Sequence, residues 1–246
     1  MPVALDKATR IVQTLLIAGK EYVGIMHLHK DISKEDLING INKFIGKIMQ
    51  LPPRKSAVKR QIREREVYYF KILEIEDKDV LFKIGCQAGV YIRKIISDLG
   101  NKLGVGAHMQ QLVRTKAGPF KIENSFTLHD LNDAYSMYKE ENNEKEIRKI
   151  ILPFENAVDH LNKIWVNDKT VNNLCHGSDL YGPGVEKLNR NINSNELVAV
   201  MTLKDELICL GETQLNTKDI IEKEKGLVLK TKKVFMERNT YNYSAS

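Results

Sequence analysis

The chain has 246 residues, 42% hydrophobic and 28% charged. That composition fits one large or two modest globular domains and excludes disordered, fibrous and collagen-like classes. No apolar run approaches the roughly 20 residues of a membrane span, and the start MPVALDKATR has no basic segment leading into an apolar one, so neither a membrane nor a secretory fate is expected. The net charge of +6 favours a polyanionic partner, and it is concentrated: residues 47–65 hold Lys47, Arg54, Lys55, Lys59, Arg60, Arg63 and Arg65 against Glu64 alone, so the rest of the chain sums to zero.

In chain order, residues 20–29 (KEYVGIMHLH) are rich in strand formers. Ser33 with Asp36 three residues on predicts a capped helix running toward Phe44, with Leu37, Ile38, Ile41, Phe44 and Ile45 as its apolar stripe and Pro52 and Pro53 as its stop. Residues 67–75 and 80–86 predict a hairpin around the acidic turn at 76–79, and residues 91–102 predict a helix ended by Gly100, Gly104 and Gly106. An extended stretch at 108–116 follows, then a helical, acidic region over 127–160 whose run KEENNEKE reads as a solvated loop or helix end. Beyond Lys163 the texture changes to short strands at 164–166, 197–203, 207–213 and 226–235 with one helix at 217–225, a second and mostly β domain. Cys86, Cys175 and Cys209 are odd in number and without CxxC spacing, which argues against a disulfide framework or a zinc site and fits a reducing cytoplasm.

Several residues invite a chemical role beside a structural one. The segment LPPRKSAVKRQIRER reads either as a Pro-stiffened loop that contacts phosphates or as a solvated surface loop. In GVYIRKI, Arg93 sits on the first turn of a helix, where the dipole disfavours a cation, so a carboxylate or phosphate partner is expected, structural or catalytic. Tyr22 beside Lys20 is either a platform for a nucleobase or a core aromatic. His27 and His29 share a strand face, but without a third ligand nearby no metal is expected. The tripeptide Asn242, Tyr243 and Ser244 matches a glycosylation acceptor only by chance.

Taken in order, these segments resemble the TruB/Cbf5 (dyskerin) family of RNA pseudouridine synthases, with the archaeal Cbf5 branch as the nearest likeness. LPPRKSAVKR resembles the family's PP-x-x-SA-x-K segment, GVYIRKI its G-x-YIR motif, AHMQQLVRTKAGPF its AH-x-x-x-LRRT-x-x-GPF segment and GKEYVGIMHLH its K-x-Y strand. WVNDKTVNNLCHGSDLYGPGV and LVAVMTLKDELICLGE are similar to its appended PUA domain.

The resemblance implies an α+β fold: a mixed, mostly antiparallel synthase sheet with flanking helices over 1–160, with a thumb loop near 52–65, and a small β-barrel-like PUA domain over 161–246. It makes Tyr22 the aromatic that stacks on the flipped uracil, Arg93 the partner of a nucleophilic carboxylate and Leu112 an apolar pocket wall. RNA contacts fall to Lys20, Arg54, Lys55, Lys59, Arg60, Arg63, Arg65, His176 and Gly177. The implied chemistry uses no cofactor and no metal: a carboxylate attacks the nucleotide, the glycosidic bond breaks, and the base rotates and reattaches through carbon. The implied partners are guide, tRNA or rRNA and the small proteins Nop10, Gar1 and an L7Ae type.

One departure is evident. The family's nucleophilic aspartate lies in a G-x-L-D-P-like loop upstream of the segment that reads PVALDKATR here, and Asp6 does not match it. The synthase domain is therefore expected to be truncated at its N-terminus and the chain alone to be inactive, the alternative being a catalytically silent RNA-binding scaffold.

Overall fold

The computed structural model describes residues 1–53, 58–222 and 225–241. Arg54 and Lys55, and the 242–244 tripeptide, lie outside the described residues. The chain divides into two compact units, Met1–Ile151 and Leu152–Ser246.

The first unit opens with a 3-10 turn, Asp6–Ile11, and a short helix α1 (Val12–Ile17), and then enters strand β1 (Lys20–Leu28). Helix α2 (Lys34–Asn42) starts where Ser33 Oγ accepts a 3.1 Å bond from Asp36 N, and it buries Leu37 and Ile41. It ends earlier than expected, and the stretch before the prolines is a strand, β2 (Gly46–Gln50), rather than a continuation of the helix. Gly46, with φ of 90°, turns the chain, and Gly46 to Gln50 then pair antiparallel with Val67 to Arg63, a ladder only the fold supplies.

Strand β3 (Arg63–Glu76) returns through a turn at Asp77 (φ 49°) into β4 (Asp79–Cys86). Helix α3 (Ile92–Lys102), strand β5 (Ala107–Ala117), the short β6 (Phe120–Lys121), α4 (Leu128–Glu141) and α5 (Ile147–Ile150) complete the unit. The sheet order is β2-β3-β4-β1-β5-β6, antiparallel at every described pairing. Its core lies on one face, where Met26, Leu28, Phe82 and Ile84 meet Leu37 and Ile41 of α2 and Ile92, Ile95, Ile96 and Leu99 of α3. The spacing of those four α3 residues is that of one helical stripe.

The second unit consists of β7 (Lys163–Val166), α6 (Asp168–Cys175), β8 (Leu180–Tyr181), β9 (Val185–Leu188), β10 (Leu197–Met201), β11 (Leu207–Thr213), α7 (Thr217–Glu222) and β12 (Leu227–Val234). The order β8-β12-β11-β10-β7-β9, with β10 and β7 parallel, makes a nearly closed, barrel-like sheet. Helix α6 and strands β8 and β9 lie in a stretch for which the sequence offers no element. The helix is capped by Asn167, whose side chain accepts from Thr170 N, and is held by Val171, Leu174 and Cys175 facing the core. All three cysteines are free and buried. Among the described residues no helix is long and apolar enough to cross a membrane.

Candidate functional site

Strand β1 occupies the middle of the first sheet, between β4 and β5, and presents Tyr22 on the core-facing side. Tyr22 is half-buried; burial pushes its phenol up, and the side-chain hydrogen bond with Arg114 of β5 works in the opposite direction. The register places Tyr22 opposite Arg114 and Gly24 opposite Leu112. Leu112 is thus on the same face two residues along, partly buried against the same core. Neighbouring Cys86 is not a nucleophile, since burial pushes its thiol up to about 12.

Helix α3 packs Ile92, Ile95 and Ile96 into that core and carries Arg93 on its first turn, exposed to solvent. Among the described residues no carboxylate forms an ion pair with Arg93. The start of α3 is fixed by a residue the sequence did not single out. Buried Gln50, at the end of β2, accepts from Tyr91 N at 3.0 Å and donates to Tyr91 O at 3.3 Å.

The basic stretch divides in two. Lys59 and Arg60 are exposed, whereas Arg63 and Arg65 are partly buried at the start of β3, and the Nε atoms of both are buried without a hydrogen-bond partner. Arg65 also donates to Glu64 O at 2.9 Å and lies against Gly89, four residues before Arg93. Buried donors without partners are uncommon in folded proteins. Lys20, expected as an RNA contact, also holds a place within the fold. Its ammonium donates to the carbonyls of Leu15, Leu16 and Ala18 at 3.1, 2.7 and 2.6 Å, closing the end of α1, and burial, followed by Arg114, lowers its pKa. In the second unit, exposed His176 caps α6, its Nδ1 2.8 Å from Asn172 O, and Gly177 beside it is open to approach.

The third histidine missing from the sequence spacing is supplied by the fold. His108 of β5 pairs with His27, and its Nδ1 lies 2.9 Å from His29 Nε2. His27 Nδ1 meets Asp79 at 2.6 Å. Even so, among the described residues no three such side chains are arranged to hold a metal ion.

The first unit is thus a six-stranded antiparallel sheet with Tyr22 and Leu112 against its core and Arg114 opposite Tyr22 in register, and the second is a barrel-like β unit. The chain matches the TruB family pseudouridylate synthase N-terminal domain over residues 1–92, the tRNA pseudouridylate synthase B C-terminal domain over 93–159 and the PUA domain over 162–235. It is 51% identical over 242 residues to the probable tRNA pseudouridine synthase B of Pyrococcus furiosus, covering 98% of this chain and 71% of that one. The likeness to the Methanopyrus kandleri protein of the same name is 48% over 241 residues, with 98% and 71% covered.

Among solved structures, a Cbf5-Nop10-Gar1 complex matches with a TM-score of 0.90 at 51% identity, over 98% of this chain and 74% of that one. An H/ACA RNP bound to a substrate RNA containing 2'-deoxyuridine matches with a TM-score of 0.85 at 48% identity, over 97% and 73%. The chain belongs to the TruB family of pseudouridine synthases and is close to archaeal Cbf5.

Proposed function

We propose that this chain belongs to the catalytic subunit of an H/ACA guide-directed pseudouridine synthase that isomerises uridines of tRNA or rRNA, in a reducing cytoplasm. The observation that carries this reading is the pairing of Tyr22 with Arg114 across β1 and β5, with Leu112 two residues along β5 and packed against the same core. A half-buried aromatic stacks a flipped base, and the exposed Arg93 is available to orient a carboxylate at the sugar. Guide RNA and the proteins Nop10, Gar1 and an L7Ae type are the proposed partners; a similar chain was solved with Nop10 and Gar1, and another in an H/ACA RNP bound to a substrate RNA. The synthase part is assigned to 1–160 and the PUA part, with His176 and Gly177 as contacts, to 161–246.

The 246 residues taken by themselves are proposed to give no turnover. Among the described residues no carboxylate forms an ion pair with Arg93, and Asp6, in the first 3-10 turn, does not match the family's nucleophile. Loss of the attacking group from a covalent mechanism removes many orders of magnitude in rate. Incubation of this polypeptide with a uridine-labelled RNA is expected to yield no pseudouridine; detection of pseudouridine refutes the claim.

RNA binding persists without turnover. Charge reversal at Lys59, Arg60, Arg63 and Arg65 is expected to flatten the slope of log affinity against log salt by up to ~0.9 per lost duplex phosphate contact, and less for single strands. An unchanged slope removes the stretch from the interface.

A further inference from the structure

Directly behind Tyr22, on the opposite face of the sheet, Glu21 is the hub of a network that crosses four strands. Successive strand residues point to opposite faces, so Glu21 is turned away from the core-packed face that carries Tyr22. Its carboxylate accepts the hydroxyl of Thr115 on β5 at 2.8 Å and that of Tyr69 on β3, and it pairs with the Lys83 ammonium on β4 at 3.0 Å. Tyr69 reaches it across an intervening strand because Gly85 lies between them in register. A Cβ at Gly85 would stand 2.4 Å from the tyrosine ring. The side chain of Glu21 is only 16% exposed. Burial alone acts to raise its carboxyl, and the two hydroxyls and the ammonium outweigh burial and hold it below the usual range.

The position of Thr115 gives this network a purpose beyond holding strands together. Glu21 is paired with Lys116 and Tyr22 with Arg114, so β5 carries one residue too many at this point, and that residue is Thr115. A bulge of this kind twists the strand locally and re-aims the neighbouring side chain. Here the neighbour is Arg114, which stands opposite Tyr22 in the register and acts to lower its phenol's pKa through a side-chain hydrogen bond.

We propose that Glu21 is a positioning residue: by gripping the Thr115 bulge from behind, it fixes the spacing at which Arg114 holds Tyr22 against the target base. This rests on the assignment of Tyr22 as the stacking aromatic.

The test uses the full chain and two hairpin RNAs that differ only at one loop position, a uridine in one and an abasic residue in the other. The measured quantity is the ratio of their dissociation constants, because loss of sheet integrity weakens both RNAs alike and leaves the ratio unmoved. Tyr22→Ala is expected to lower the preference for the uridine RNA roughly tenfold, within the range of base–aromatic stacking. Glu21→Ala and Thr115→Val are expected to lower it several-fold, with Glu21→Gln between wild type and Glu21→Ala because the amide oxygen still accepts one hydroxyl. Where Glu21→Ala fails to fold by near-ultraviolet circular dichroism, the near-isosteric Thr115→Val carries the test. An unchanged ratio in Glu21→Ala and Thr115→Val, with a collapsed ratio in Tyr22→Ala, overturns the positioning role and leaves the stacking assignment standing. An unchanged ratio in Tyr22→Ala overturns both.

Discussion

The two units solve the same problem of burying a six-stranded sheet in different ways. The first packs one face against α2 and α3 and leaves large apolar side chains such as Leu16, Ile17, Leu73 and Val113 exposed. The second curls its sheet nearly shut around Ile164, Val166, Val198, Val200, Ile208 and Val228, and among its described residues the large exposed apolar side chains are Leu152, Tyr181, Leu203 and Ile221. A one-sided sheet keeps a wide surface on which side chains from several strands can be juxtaposed, and it has more apolar area left to cover. A nearly closed sheet gives up that surface and gains a self-contained core.

The largest effect is expected at the centre of the one-sided core. Phe82 is fully buried on β4 and meets Phe70 edge-on, with ring centroids 5.3 Å apart. Phe82→Ala is expected to cost about 3–5 kcal/mol, read by hydrogen exchange as lost protection in β1 and β4 with protection kept in β11. Simultaneous loss in all three strands breaks the contrast by showing one cooperative unit.

A smaller effect is expected in the second unit. Trp165, the one tryptophan in the sequence, donates from Nε1 to Asp205 at 2.7 Å and has Lys187 over its ring at 4.5 Å. Asp205→Ala leaves the indole N–H unpaired and is expected to cost about 1–2 kcal/mol, seen as an earlier denaturant midpoint by tryptophan fluorescence. An unmoved midpoint contradicts it.

The smallest effect depends on pH. The Glu21 carboxyl has a folded pKa below its unfolded value, so the stability it adds is present above the ordinary carboxylate range and is lost as pH falls through the folded pKa. Glu21→Gln is expected to flatten the acid side of the first unit's stability curve below about pH 4 and to leave the Trp165 signal unchanged. A wild-type acid limb in the variant assigns that loss to other groups.

Much of the architecture was legible from residue pattern. The hairpin of β3 and β4 is visible because Val, Ile, Tyr and Phe alternate around an acidic turn, and α3 because its isoleucines recur at helical spacing. Strand β2 was not, since GKIMQ carries no strong period and becomes a strand only by pairing with β3. The helix α6 and the short β8 and β9 were hidden in a polar, glycine-containing stretch in which three core-facing residues decide the outcome.

Of the proposed site, Tyr22, Leu112 and Arg93 came from motifs. Arg114, Gln50 and Glu21 did not, because each acquires its partner from cross-strand register or from a segment some forty or more residues away in the chain, as Gln50 does with Tyr91 and Glu21 with Tyr69. The charge of 47–65 was plain, but not its division into exposed Lys59 and Arg60 and inward-turned Arg63 and Arg65, which depends on where β3 begins.

The three buried thiols give the molecule a built-in chemical clock. Cys86 sits in the first unit at 1% exposure, and Cys175 and Cys209 in the second at 4% and 0%. With its thiol pushed up to about 12, Cys86 offers almost no thiolate at neutral pH while the sheet is closed, and Cys209 is in the same state. A thiol reagent therefore finds its targets only when a strand lets go. The order in which the three sulfurs react records which unit breathes first, in the native protein and without an added label.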